Sequence, residues 1–461
     1  MTWRQYLAAT LLALPSAVTF AADPAASTQP TTRELLDRTR NLESEVAELK
    51  AERSSRPAVQ PLPTESASSA AVLRDAAVRS PFPDIQSFTA MYAVDRGILL
   101  RSADGNFLLH PAAYIQFRNA TTFRDDAKHG SDSDTQNGFE IRRIKLVLDG
   151  NLFSPHLTYQ FLWGSDRHNG QLALEDAWIR YELPDSPFSL RAGQIRDPLD
   201  HEQLTFSTRM LAADRSLINT LFTNRQGLVQ GVSVGYLQGP VRVEAAVTDG
   251  LTSANTNFQD FPTTSTDWGV AARIEFKPLG SWESYADFSS LNDTEPLLVL
   301  GAGADYTEAG DAAALTHVID AQYESPDGLD MYVAYLGRYT RHNAGVPGAV
   351  GGAVGPAAAH DTYDATFRAQ AGYVLSEHWE PFVRYDYIYF DPHSLPSSVS
   401  HSPFHEFTAG VVYYFYRHRA KFTADCSYLP NGSPVSDDGN DILSNHEGTE
   451  WVVRMQFQLV L

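Results

Sequence analysis

A single cysteine, Cys426, occurs in 461 residues, so no disulfide can form within the chain. No cysteine directly follows the expected cleavage region near 19–21, so a lipoprotein anchor is not expected. No run of about 18 apolar residues occurs, so a membrane-spanning helix is excluded by length. Positive charge is scarce: 35 Lys and Arg face 56 Asp and Glu, for a net charge of −21. Nucleic acid is therefore not an expected partner, because such partners call for clustered bases. Catalytic signatures are missing too. The 14 histidines are scattered, with no His-Glu-x-x-His, paired-Cys or Gly-x-Ser-x-Gly pattern. No catalytic residue, cofactor or metal ligand is nominated. The acidic runs Asp132 to Asp134 and Asp437 to Asp441 lack a full Ca²⁺-loop pattern and read as solvated loops.

What is present begins with Arg4, an apolar stretch from Leu7 to Leu14, Pro15, and small residues around Thr19-Phe20-Ala21. This order reads as a secretory signal peptide over 1–21. Residues 33–53 carry Leu35, Thr39, Leu42, Val46 and Leu49 at alternating spacings of four and three. That is a short coiled-coil helix, too short to be stable alone but able to support oligomerisation. A Pro/Ser/Ala-rich linker over 54–71 follows. An exported chain of this size without disulfides needs another source of stability. A closed β-barrel supplies one, because every backbone hydrogen bond is made between strands and no edge remains.

From 107 to 461 the texture is that of strands, with apolar and polar residues alternating over about ten positions. Ala365, Phe367, Ala369, Ala371 and Tyr373 share one face, and Asp364, Thr366, Arg368, Gln370 and Gly372 the other. Short turns are expected at Ser154-Pro155-His156, Pro184 to Pro187, Gln238-Gly239-Pro240, Lys277 to Gly280, Ser325 to Gly328, Ser376 to His378 and Arg417-His418. Between them lie long polar loops at 125–138, 164–171, 196–226, 249–267, 291–314, 341–362, 391–405 and 430–449. Strict alternation of short and long connections implies an all-β transmembrane antiparallel barrel of about sixteen strands, turns on one membrane face and loops on the other. Outer-membrane lipid is the expected surround. A passive pore, a structural or adhesive barrel and a barrel enzyme all remain open on this pattern alone.

Three stretches between Phe139 and Tyr236 carry a family likeness. One is Ile141-Arg142-Arg143-Ile144-Lys145-Leu146 with Asp149-Gly150-Asn151-Leu152. A second is Ala177 to Tyr181 with Leu190 to Gln194. The third is Asp197-Pro198, His201-Glu202, Ser207, Asp214-Arg215 and Arg225 before Gly227. In these the chain resembles the phosphate-selective porin O and P family of bacterial outer membranes. The resemblance implies a sixteen-stranded, usually homotrimeric porin with an inward-folded third loop. It also implies small solutes, inorganic anions such as phosphate among them.

With the more apolar face outward, strand phase nominates Arg118, Arg143, Lys145, Arg180, Arg191, Arg368, Arg384, Lys421 and Arg454 as pore-lining, anion-binding residues. Lumen acids by the same rule include Glu275, Glu283, Asp287, Asp320, Glu324, Asp386 and Asp425. Bases gather on the last strands and the first two, acids on the ninth and tenth. The 196–226 loop mixes Asp197, Asp200, Glu202, Arg209, Asp214, Arg215 and Arg225 with Leu204, Phe206, Leu217, Ile218, Leu221 and Phe222. An inward-folded loop needs such apolar residues to pack on the wall while its charges define a constriction. The expected function is passive diffusion of small hydrophilic solutes with a weak to moderate anion preference.

Overall fold

The computed structural model describes residues 88–93, 96–125, 135–165, 170–223, 227–251, 253, 266–291, 293–309, 312–341, 360–394, 403–433, 440–443 and 448–461. The signal peptide, the 33–53 helix, the linker and Arg225 lie outside them.

A hairpin of β1 (Phe88–Ala93) and β2 (Gly97–Ser102) comes first, a feature the sequence reading did not assign. Sixteen strands follow: β3 (Leu108–Arg124), β4 (Thr135–Asn151), β5 (Leu157–Ser165), β6 (Leu172–Glu182), β7 (Phe188–Arg196), β8 (Leu228–Gln238), β9 (Val241–Thr248) and β10 (Trp268–Leu279). The second half comprises β11 (Leu297–Ala309), β12 (Ala312–Glu324), β13 (Leu329–Arg341), β14 (Thr362–Tyr373), β15 (Trp379–Tyr389), β16 (Phe404–Tyr416), β17 (Ala420–Leu429) and β18 (Glu450–Val460). Each pairs antiparallel with the next. β18 closes the barrel on β3, from Glu450 opposite Arg124 to Val460 opposite Tyr114. The thirteen residues of β12 extend about 43 Å at ~3.3 Å per residue. Tilted by about 40° they rise ~33 Å, enough to cross an apolar band of ~25 Å.

Alternation assigns the two faces. On β14, Tyr363, Phe367 and Tyr373 point outward and are about 40% exposed, whereas Asp364, Thr366 and Arg368 point inward and are buried. Outward Val270, Ile274, Leu300, Ile319, Val333 and Val383 continue the apolar surface that lipid would cover. Tyr159, Phe161 and Trp163 stack along one strand as part of an aromatic girdle.

Six of the seven short turns fall where the sequence places them. At Gln238-Gly239-Pro240 the strands are joined by two residues, and Gly239 takes φ +55°, a conformation that glycine adopts without steric cost. The exception is a correction. A turn at Lys277–Gly280 and a long loop at 291–314 were expected. Instead the long connection, 280–296, is on the turn side, and β11 and β12 are separated only by residues 310 and 311. Glu283 and Asp287 are therefore not strand residues. They belong to an inserted segment whose Ser284–Ala286 stretch is a single 3-10 turn. The physical reason lies on β11. Its lumen face is Leu297, Val299, Gly301 and Gly303, because it backs onto inward-folded chain rather than water. Leu297 and Val299 pack on Tyr285, and a Cβ on Gly303 would stand 2.4 Å from the Leu199 carbonyl oxygen.

Candidate functional site: the lumen and its inward loop

After β7 the chain turns into the lumen. Within the 197–223 segment, α1 (His201–Leu204), a 3-10 turn at Ser207–Arg209, and α2 (Leu217–Phe222) are joined by extended chain. Ser216 caps α2, its hydroxyl accepting from the Ile218 amide at 3.0 Å. Leu199, Leu211, Leu217, Ile218 and Phe222 are buried to 2% exposure or less. They pack on inward apolar residues of the wall, Tyr332, Leu336, Ile388, Phe390, Phe404 and Val412. This apolar core inside a polar lumen fixes the loop's position.

Charge anchors it further. Asp214 receives Arg118 at 2.5 Å, Arg143 at 2.6 Å and Arg142 at 3.1 Å. Burial alone would push the Asp214 carboxyl up, but Arg118, then Arg142, Arg143 and Arg454, hold it well below the usual carboxylate range. Arg384 donates to the Asp214 carbonyl at 3.0 Å and pairs with Glu406 at 3.2 Å. Arg368 pairs with Glu202 at 2.9 Å and stands 3.7 Å from Asp200. Arg454 pairs with Asp425 at 2.7 Å, whose other oxygen accepts from the Ala213 amide at 2.7 Å. Lys421 donates to the Met210 carbonyl at 2.5 Å. Across the barrel, Arg273 reaches the Leu199 carbonyl at 2.9 Å.

The nominated residues thus divide by position. Arg118, Arg368, Arg384, Lys421 and Arg454 are buried and, with the half-buried Arg143, hold the loop. Lys145 is paired with Glu175 and Arg191 with Glu244. Arg180 stays open: its side chain is 37% exposed, and its ion-pair contact among the described residues is Glu182 at 3.8 Å. In the loop, Asp200, Glu202 and Asp214 are taken up by arginines. Arg215 staples the loop to itself through the carbonyls of Glu202 at 3.0 Å and Thr205 at 2.5 Å. Burial, with Arg196 and Arg143 nearby, lowers its guanidinium to about 10. Asp197 is fully buried facing Asp305; burial, then the Asp305 charge, raises its carboxyl well above the usual range. Arg209 is half-exposed in the lumen and meets Asp287 of the 280–296 segment at 3.0 Å.

That segment, missed in the sequence, meets the loop from the turn side. His201 stacks on Tyr285 with ring centroids 3.9 Å apart and touches Phe288. Burial, then Arg273, lowers the His201 imidazole to about 3, so it is neutral. Asp287 also faces His418 at 3.4 Å; burial raises its carboxyl, but His418 and Arg209 outweigh that and leave it lowered. Arg142 and Glu175 were missed as well. Each sits at a β-bulge, where the register slips between Gln116 and Phe117 opposite β4, and between Leu162 and Trp163 opposite β6. A bulge turns two consecutive side chains inward. Ile141 and Ile144, three apart on what should be a period of two, were its trace in the sequence.

Among the described residues, two cavities flank Phe206 at the turn end of the lumen. One, about 360 Å³, is bounded by β6, β8, β9 and β10 with Trp282 and Tyr285. The other, about 450 Å³, is bounded by β3, β4 and β5 with Arg209 and His418.

A closed sixteen-stranded barrel whose third long loop folds inward and bonds to facing walls is an outer-membrane porin scaffold. Residues 115–288 match the model of the family phosphate-selective porin O and P, bearing out the likeness seen in the sequence. Among solved structures, the fold is similar to the anion-selective porin from Comamonas acidovorans, with TM-score 0.52 and 11% identity over 77% of this chain and 99% of that one. It is likewise similar to Salmonella typhi OmpF in complex with daunomycin, with TM-score 0.52 and 12% identity over 78% and 99%. The outer membrane channel DcaP of Acinetobacter baumannii gives TM-score 0.51 and 10% identity over 78% and 99%. No curated protein is significantly similar in sequence. By its barrel fold the protein is similar to these outer-membrane porins.

Proposed function

We propose that the protein is a passive channel for small hydrophilic solutes, with a weak to moderate preference for anions, inorganic phosphate among them, and that it works as a homotrimer. The observation that carries the channel reading is the loop. A segment held in the lumen by ion pairs to β3, β4, β14 and β15 and by hydrogen bonds to β16, β17 and β18 narrows the passage without needing a reacting group. Such a device selects by size and field.

The anion preference rests on the bases that stay partly exposed in the lumen. The arginine wall is already neutralised by Asp200, Glu202 and Asp214, so it places the loop rather than meeting solute. Arg180, Arg209 and Arg242 keep 37%, 44% and 38% of their side chains exposed to the lumen. Permanently charged guanidinium groups there attract anions and replace their water through paired hydrogen bonds. Partly exposed Glu182 and Glu244 oppose this field, which keeps the preference modest. Reversal potentials across a salt gradient test it. Wild type should favour anions, and Arg180→Gln with Arg209→Gln should shift the potential toward cations. Cation preference in the wild type, or no shift in the double variant, would leave a general-diffusion pore instead.

A further inference from the structure

We propose that the cavity between Phe206, Trp282 and Arg180 is a binding site for small aromatic carboxylates, a reading that deepens the channel function and rests on it. The starting point is an anomaly in the loop. Most of its other large apolar residues are buried, Leu199, Leu211 and Phe222 to 2% or less, with Leu204 half-buried, yet Phe206 is 37% exposed. Arg196 lies over the ring, 5.2 Å from its centroid, and the rest of the ring is an exposed large apolar group at a cavity wall, which marks a contact surface. Across about 360 Å³ of cavity stands Trp282. Its indole nitrogen donates to the Gly239 carbonyl at 3.2 Å, which fixes the ring. Arg242 lies 4.5 Å from that ring's centroid.

The charges of the cavity wall are settled except at one place. Glu244 is paired with Arg191, and Glu275 with Arg242 and Arg273. Arg180 remains, its side chain 37% exposed and Glu182 no nearer than 3.8 Å. One partly exposed guanidinium beside two aromatic faces suits a ligand with one carboxylate and one ring: the carboxylate bonds to Arg180, and the ring packs between Phe206 and Trp282. Inorganic phosphate would engage the arginine but leave both rings bare, and its second charge would face Glu244 and Glu275.

Calorimetric titration of the full chain in detergent tests this with four probes: benzoate, acetate, benzyl alcohol and phosphate. Benzoate should bind about tenfold or more tightly than the other three. Arg180→Gln should weaken benzoate by about tenfold and Phe206→Ala by about fivefold, with β-sheet signal and melting retained. Acetate or phosphate matching benzoate would overturn the site, as would wild-type affinity in both variants; the wild-type series decides even if a variant misfolds. Planar-bilayer current separates the two claims. A conducting protein indifferent to benzoate refutes only the site, whereas benzoate binding without conductance refutes only the channel.

Discussion

Asp214 concentrates the loop's attachment in one carboxylate shared by Arg118, Arg142 and Arg143. Removing one partner of a buried ion pair costs on the order of 3–5 kcal/mol, because the charges left behind are uncompensated. Asp214→Ala should therefore loosen the loop, seen as larger open-channel noise and faster proteolysis within 197–223; unchanged noise and protection would show that the apolar packing alone suffices. The pH dependence follows from sign. The Asp214 carboxyl is lowered on folding, so its contribution is present above the ordinary aspartate range and is lost only as pH falls through a much lower value. Asp197 has the opposite sign: its carboxyl is raised, so its burial becomes more costly as pH rises from that range. Asp197→Asn should then raise the melting temperature at neutral pH and leave it unchanged below about pH 3.8, as thermal scans at both pH values would show. At this scale the inward phase of Arg118, Arg368 and Arg454 was legible from alternation. Their partners were not, because ion pairs join residues such as Arg118 and Asp214 far apart in the chain. Arg142 and Glu175 escaped because a bulge breaks the period on which the phase rule depends.

Among the elements, the 197–223 loop was readable because apolar residues in a polar connection have to pack somewhere, and α2 presents Leu217, Ile218, Leu221 and Phe222 to the wall. The wall answering it was less readable. β13, β15 and β16 carry inward Leu336, Ile388 and Phe404, which blur the contrast between lumen and lipid faces. The same effect hid β11, whose inward glycines make room for the loop. Gly303→Val should displace Leu199 and the chain around α1, since the added Cβ would meet the Leu199 carbonyl at 2.4 Å. The measurable outcome is a changed single-channel conductance with the β-sheet content retained; identical conductance would contradict the packing described here. Residues 280–296 misled for a different reason: Glu283, Tyr285 and Asp287 alternate with Trp282, Ser284, Ala286 and Phe288 as on a strand, whereas Trp282, Tyr285 and Phe288 stack on His201 and its surroundings from the turn side.

For the whole molecule, sixteen strands follow from the count of connections, because up-and-down strands place successive connections on alternate membrane faces, most of the short ones on one face and most of the long ones on the other. One exchanged pair of connections, around β11, does not change the strand count. Closure through β3 and β18 removes both sheet edges, which explains how a chain with one cysteine holds a large fold. Deleting residues 33–53 should weaken oligomers on native gels if that segment supports trimers; unchanged trimers would remove it from the account. The central claim, a water-filled barrel narrowed by its third loop, is tested most directly by planar-bilayer recordings of the wild type beside a variant lacking residues 203–222. Stepwise ohmic current in the wild type, with larger steps in the shortened variant, is the predicted result. No steps in either protein, or steps of equal size in both, would contradict it.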